Sequence, residues 1–224
     1  MASQDNYICG TGANDATVGT EAWSNPTNIQ ADDGTYATVP LTDFNMQSNY
    51  IKGSNFSHTV PTGSTILGIK FTFELSRAAL AAGTVVIISA KCGKGGTIGG
   101  SEKAASEEIN TTDTYYTFGG IADLHGLTLS PADVNASNFL AVCSLKVTVT
   151  ASGNNQCDVC KNTVYYTDIG EIITAVHPPM DQPQAREPAI IVSYFGRPMV
   201  ELFGRLWPIY SQTRAAKCLQ PCFS

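Results

Sequence analysis

Residues 69–75 alternate strictly between apolar and polar side chains, a pattern that leaves few folds open to the chain. The apolar positions are Ile69, Phe71, Phe73 and Leu75, and the polar positions are Lys70, Thr72 and Glu74. Successive side chains of a β-strand point to opposite faces, so the pattern predicts a strand buried on one face only. Such a strand needs a second layer to cover its apolar face.

Turn residues separate this strand from the segments before it. Pro61 fixes φ and Gly63 tolerates a positive φ, which favours a tight turn just before the alternating residues. Asp32, Asp33 and Gly34 predict an earlier turn, in which Asp side chains accept hydrogen bonds from nearby backbone amides. Strands that follow one another across short turns are typical of antiparallel sheets.

The remaining apolar segments read as further strands. Residues 84–92 predict a strand buried on both faces, 93–100 a glycine-rich hairpin, and 115–118 a strand. Residues 139–150 and 156–167 predict a hairpin joined by A-S-G-N-N, and Ser130-Pro131 predicts a helix start of about one turn. We therefore expect an all-β protein, an antiparallel, jelly-roll-like β-sandwich of about eight strands.

A proline-rich segment divides the chain. We expect a β-sandwich domain over residues 1–170, an extended linker over 171–188, where four prolines disfavour regular structure, and a C-terminal arm over 189–224. Apolar residues in the arm predict docking on a neighbouring subunit by strand addition or groove filling. The predicted interface residues are Ile190, Ile191, Tyr194, Phe195, Arg197, Leu202, Phe203, Arg205, Leu206 and Trp207.

Charge is sparse and unevenly distributed. Charged residues make up 14% of the chain, below the roughly 25% of an average globular protein. Residues 1–177 hold 8 Lys and Arg against 16 Asp and Glu, and residues 178–224 hold 5 against 3. The acidic body argues against nucleic acid as a partner, and the basic tail favours docking on an acidic neighbour. No window has the roughly 20 apolar residues of a membrane span.

The chain has seven cysteines and opens on a polar stretch without a signal-peptide pattern. We expect synthesis in a reducing cytoplasm, mostly free thiols, and a buried Cys143. Cys157 and Cys160 have a C-x-x-C spacing, but residues three apart on a strand point to opposite faces, which opposes a metal or redox role. Cys218 and Cys222 are candidates for a disulfide, and zinc held by these four cysteines is an alternative.

No pattern of catalytic residues stands out. The three histidines, His58, His125 and His177, are scattered, and a surface or hydrogen-bonded role is expected for each. Asp32 and Asp33 are adjacent in a turn, which does not place two carboxylates across a cleft. Oxygen ligands for calcium are present in that turn, but too few for a complete site. We therefore predict that the chain is not an enzyme and has no cofactor.

Several sequence blocks resemble a module of tailed-bacteriophage virion structural proteins, of the tail, fibre or head-decoration type. The blocks are W-S-N-P-T-N-I-Q-A-D-D-G-T-Y-A-T, S-N-Y-I-K-G-S-N-F, V-P-T-G-S-T-I-L-G-I-K-F-T-F, D-T-Y-Y-T-F-G-G, D-L-H-G-L-T-L-S-P-A-D-V-N-A-S-N-F and V-Y-Y-T, within residues 13–168. The resemblance implies a β-sandwich without catalytic residues. Asn162 departs from it, because an apolar residue is expected there.

The resemblance and the predicted arm together favour a capsid decoration or cement protein, made in the host cytoplasm and located on the virion. Its expected partners are the major capsid protein or tail proteins, in a homo-oligomer such as a trimer. One alternative is a tail or tail-fibre component that binds a host glycan receptor. Another is a carbohydrate-binding accessory module.

Overall fold

The computed structural model describes residues 2–77, 84–149 and 153–167, with side chains from Tyr7 onward. Ten strands form in this part of the chain: β1 (Ala2–Ile8), β2 (Thr11–Asp15), β3 (Ala37–Leu41), β4 (Tyr50–Ser54), β5 (Ile66–Arg77), β6 (Val85–Lys94), β7 (Thr97–Ile98), β8 (Thr114–Gly119), β9 (Leu140–Val147) and β10 (Gly153–Tyr166). Its helices are α1 (Pro131–Asn135) and a 3₁₀ turn (Pro26–Ile29), both too short to cross a bilayer.

The strands form two antiparallel sheets of five strands each. In the first sheet the order is β1-β10-β5-β8, and β3 also pairs with β10, along residues 153–157. In the second sheet the order is β2-β4-β9-β6-β7. The long strand β10 is therefore the centre of the first sheet, with β5 on one side and both β1 and β3 on the other.

The core lies between the inner faces of the two sheets. The apolar residues of the alternating segment are fully buried there, and Ile87, Cys143 and Leu145 of the second sheet belong to the same cluster. Burial of such side chains contributes roughly 1.5–3 kcal/mol each, which makes this cluster the main stabilising feature. The predicted all-β sandwich, the alternating strand and the burial of Cys143 are confirmed.

Local signals for turns and caps are also confirmed. Gly95 and Gly96 both have positive φ and join β6 to β7, as a two-residue hairpin turn requires. The Ser130 side chain accepts a hydrogen bond from the Asp133 amide, and the Asp133 side chain accepts one from the Ser130 amide. This capping box, with Pro131 in the first turn, starts α1.

The predicted hairpin of residues 139–150 and 156–167 is wrong. Strand β9 pairs with β4 and β6 in the second sheet, whereas β10 pairs with β1, β3 and β5 in the first. An alternating pattern of side chains identifies a strand, but it does not specify the strand with which it pairs. Here the chain passes from one sheet to the other between β9 and β10.

The expectation that Cys157 and Cys160 point to opposite faces is also wrong. The register between β10 and β5 shifts between these residues, since Cys157 pairs with Leu75 and Cys160 with Phe73. This β-bulge inserts an extra residue into β10, so both thiols lie in the core and are fully buried. Burial raises the pKa of both thiols well above the usual range.

Candidate functional site

The bulge in β10 positions a group of polar side chains on the outer face of the first sheet. Glu74 of β5 pairs with Tyr115 of β8, and Asp158 lies in the bulged part of β10, next to Glu74. Lys161 follows on β10, and Asp32 comes from the loop after the 3₁₀ turn. These five residues are called the outer-face cluster.

Asp32 connects the exposed members of the cluster. Its Oδ2 atom accepts a hydrogen bond from the Tyr115 hydroxyl at 2.7 Å and another from Lys161 Nζ at 2.7 Å. Lys161 Nζ also lies 3.2 Å from the Tyr115 hydroxyl and 4.6 Å from the centroid of its ring. Two donors on one oxygen hold the Tyr115 ring in a defined orientation, although 49% of that residue is exposed.

The loop that carries Asp32 is anchored to the sheet by backbone contacts. Gln30 forms an isolated bridge with Val159, and the Gly34 amide donates to Asp158 Oδ2 at 3.1 Å. The Thr35 amide donates to Asp33 Oδ1 at 2.9 Å, which confirms the predicted Asx-type turn. The turn thereby places Asp32 over β10.

The three carboxylates of the cluster differ in their environments. Hydrogen bonds from Lys161 and Tyr115 hold the pKa of Asp32 below its usual value. Burial raises the pKa of Glu74, and the charges of Asp32 and Asp158 raise it further. Burial likewise raises the pKa of Asp158, although the amides of Gly34 and Asp33 oppose the shift. Ionisation of Glu74 and of Asp158 is therefore disfavoured in the folded protein.

A second tyrosine extends the polar surface. The Tyr36 hydroxyl donates to Asp113 Oδ2 at 2.8 Å, and this bond raises the pKa of Tyr36 to about 12. Asn28 Nδ2 donates to the Tyr36 carbonyl at 2.9 Å, which fixes the backbone of that loop. The surface thus has two tyrosines, each held through its hydroxyl by a carboxylate.

Chemically, the outer-face cluster combines a half-exposed aromatic ring with hydrogen-bond acceptors and an ammonium group. An aromatic face gives apolar contact area at low entropic cost, and flanking polar groups give orientation and specificity. This combination suits a ligand that has both hydroxyl groups and apolar C–H faces.

The predicted arm and its ten interface residues lie outside the described residues, as do Cys218, Cys222 and His177. The other two histidines are buried and hydrogen-bonded, His58 to Asn162 and His125 to the carbonyl of Ile69. Tyr115, Lys161 and Asp158 were missed as site residues because Tyr115 lies on a different strand from the other two, and all three are distant in sequence from Asp32. Their one local signal is a position on the outward side of a strand.

No protein-family model and no curated protein matches the chain. Similar solved structures include the CBM22-1 xylan-binding domain of Paenibacillus barcinonensis Xyn10C, at 10% identity and a TM-score of 0.32, covering 74% of this chain and 88% of that domain. A family 11 carbohydrate-binding module of the Clostridium thermocellum cellulase Lic26A-Cel5E has 11% identity and a TM-score of 0.29, with coverages of 73% and 87%.

A further similar structure is the enzymatically active domain of bacteriophage CBA120 tailspike protein 4. It has 10% identity and a TM-score of 0.29, with 70% of this chain and 18% of that chain covered. Weak structural neighbours of the sandwich thus include both carbohydrate-binding modules and a phage tailspike domain. Similarity this low carries no argument about what the chain binds.

Proposed function

We propose that the described β-sandwich is a non-catalytic glycan-binding module and that the outer-face cluster is its contact surface. The observation that carries the proposal is the half-exposed ring of Tyr115, whose hydroxyl is fixed by Asp32 and Lys161. A ring held in place before binding loses little conformational freedom when a sugar stacks on it, which favours affinity.

The surrounding polar groups supply the hydrogen bonds that a sugar requires. Asp32 is exposed and accepts hydrogen bonds, and Lys161 donates them. Thr72 and Thr117 form a cross-strand pair on the same sheet, with their hydroxyl oxygens 3.0 Å apart. Both hydroxyls are available to exchange this bond for one to a ligand.

The test is a glycan array with the full chain, followed by calorimetric titration of the best ligand. Replacing Tyr115 with Ala removes the ring and is expected to weaken binding at least tenfold, about 1.4 kcal/mol. Phe44→Ala is the matched control, because Phe44 is 62% exposed and lies outside the cluster. Binding that survives Tyr115→Ala, or an array without any ligand, would contradict the proposal.

A role in a phage virion is the second candidate, carried by the sequence blocks of residues 13–168. It is compatible with glycan binding, since a tail or fibre component recognises host surfaces. Quantitative mass spectrometry of purified particles distinguishes a location on the head from a location on the tail. A copy number near that of the major capsid protein indicates head decoration, and a few copies per particle indicate a tail component.

A further inference from the structure

Three carboxylates of the outer-face cluster lie close enough to share one ligand. Asp32, Glu74 and Asp158 each offer an oxygen, and these oxygens all lie within 4.8 Å of one another. Glu74 and Asp158 are buried, with 9% and 5% of each residue exposed. The three carboxylates come from three separate segments: the loop after the 3₁₀ turn, β5 and the bulge of β10.

Two buried oxygens in this group lack a hydrogen-bond partner. They are Oε2 of Glu74 and Oδ1 of Asp158. A buried acceptor without a partner costs about 1–3 kcal/mol, and more when it is charged. Native proteins rarely retain such atoms without a bound ion, water or other partner, so these two oxygens point to a ligand that donates positive charge.

The charges near the group are not balanced. Lys161 is bound to Asp32 through the shared Oδ2 contact. Among the described residues, no lysine or arginine forms an ion pair with Glu74 or Asp158. Three carboxylates and one ammonium leave two negative charges, which one divalent cation neutralises.

From this geometry we propose that Asp32, Glu74 and Asp158 form a binding site for a divalent cation, with calcium as the preferred ion. Carboxylate oxygens are the ligands that hard cations prefer. Calcium accepts oxygen ligands in a flexible geometry, which suits a site assembled from three separate segments, whereas magnesium demands near-ideal octahedral geometry. Water molecules complete the coordination shell.

Cation binding at this site affects the other residues of the outer-face cluster. The ion joins the Asp32 loop to β5 and β10, and Asp32 in turn holds the Tyr115 hydroxyl and Lys161. Cation binding therefore fixes the position of the Tyr115 ring. The cation site itself does not depend on glycan binding, and its test uses no glycan.

Terbium luminescence of the full chain, stripped with EDTA, tests the site. Tb³⁺ replaces calcium and emits when a nearby tyrosine is excited, and Tyr115 is hydrogen-bonded to the ligand Asp32. We expect a saturable signal that calcium displaces at lower concentration than magnesium. Glu74→Gln and Asp158→Asn should each weaken binding at least tenfold.

Asp113→Asn is the matched control. It removes a nearby carboxylate that is bonded to Tyr36 but is not a member of the group, and it should bind within about twofold of the wild-type chain. An unsaturable wild-type signal would overturn the proposal. So would wild-type affinity in both site variants, or an equal loss in the control.

A second measurement needs no variant. The melting temperature of the EDTA-treated wild-type chain should rise on addition of calcium chloride and not on addition of sodium chloride at the same ionic strength, because a ligand that binds the folded state stabilises it. A melting temperature that calcium leaves unchanged would overturn the proposal. If the wild-type chain responds to calcium but binds no glycan, the proposed function is contradicted and the cation site is not.

Discussion

The Nε2 atom of His58 lies 2.8 Å from Oδ1 of Asn162, and both residues are almost completely buried. The carbonyl oxygen accepts, so Nε2 donates, and burial of the ring favours its neutral form by lowering the pKa of His58. Around the ring lie Tyr7, Phe56 and Phe139, with centroids 5.1, 6.0 and 6.4 Å away. The polar residue at 162, where the sequence blocks lead one to expect an apolar one, is the hydrogen-bond partner of this buried histidine.

Acid should destabilise the protein through His58. Burial lowers the pKa of His58 from 6.5 to about 4 in the folded state. Between these values the unfolded chain binds a proton that the folded chain does not, so stability is complete above about pH 6.5 and falls as the pH drops towards 4. The loss at pH 4.5 should be roughly 2–3 kcal/mol.

His58→Gln isolates this effect, since the amide of glutamine also donates to Asn162 and does not titrate. Urea unfolding at pH 7 and pH 4.5 gives the free energy for each protein. The wild-type chain should lose more stability than the variant between the two values. Burial also lowers the pKa of His125, but that residue is present in both proteins and cancels in the comparison. Equal losses would contradict the prediction.

Trp23→Ala should destabilise the fold by about 3–5 kcal/mol, as expected for a large aromatic side chain removed from a core. Trp23 is 4% exposed, and its indole Nε1 donates to the carbonyl of Asn49 at 2.9 Å. Trp23→Phe keeps most of the apolar contact and loses this hydrogen bond, so it should cost less than the alanine variant. A loss below about 1 kcal/mol for Trp23→Ala in chemical denaturation would show that the site repacks.

Gly68→Ala should be strongly destabilising because a Cβ atom at residue 68 would lie 2.2 Å from the carbonyl oxygen of Gly120. Backbone atoms cannot move aside as a flexible side chain can, so the β5 backbone or the 120–121 turn must shift. Gly120→Ala is the paired control, since a Cβ atom at residue 120 meets nothing within 4 Å. Thermal unfolding should separate the two variants by several degrees. Similar melting temperatures would refute the steric argument.

Ser130→Ala should cost about 1 kcal/mol, because it removes the side chain that accepts from the Asp133 amide at the start of α1. Ser130→Thr retains the hydroxyl and should stay close to wild type. Urea titration of the three proteins measures the difference. A Thr variant as unstable as the Ala variant would show that the cap is not the cause.

Features set by neighbouring residues were predictable from the sequence. Strand β5 follows from its alternation, since a period of two is a property of the extended backbone itself. The turn at Asp33 and the helix start at Ser130 follow from side chains that bond to amides two or three residues away. The all-β class follows from many such segments separated by turn residues.

The pairing of strands was decided by the tertiary structure. Strand β9 looked like the hairpin partner of β10, but the two strands lie in different sheets. Alternation is a local property, whereas the choice of partner depends on which faces bury the most apolar surface in the whole domain.

The candidate site shows most clearly the difference between features that local sequence predicts and features that long-range pairing sets. Local sequence patterns predicted that Asp32 lies in a turn and that Glu74 lies on the polar side of a strand. Only the tertiary structure brought Asp32, Glu74 and Asp158 within 4.8 Å. The bulge between Cys157 and Cys160 shifts the register of β10, and a register shift is set by long-range pairing with β5, which no pattern within β10 encodes.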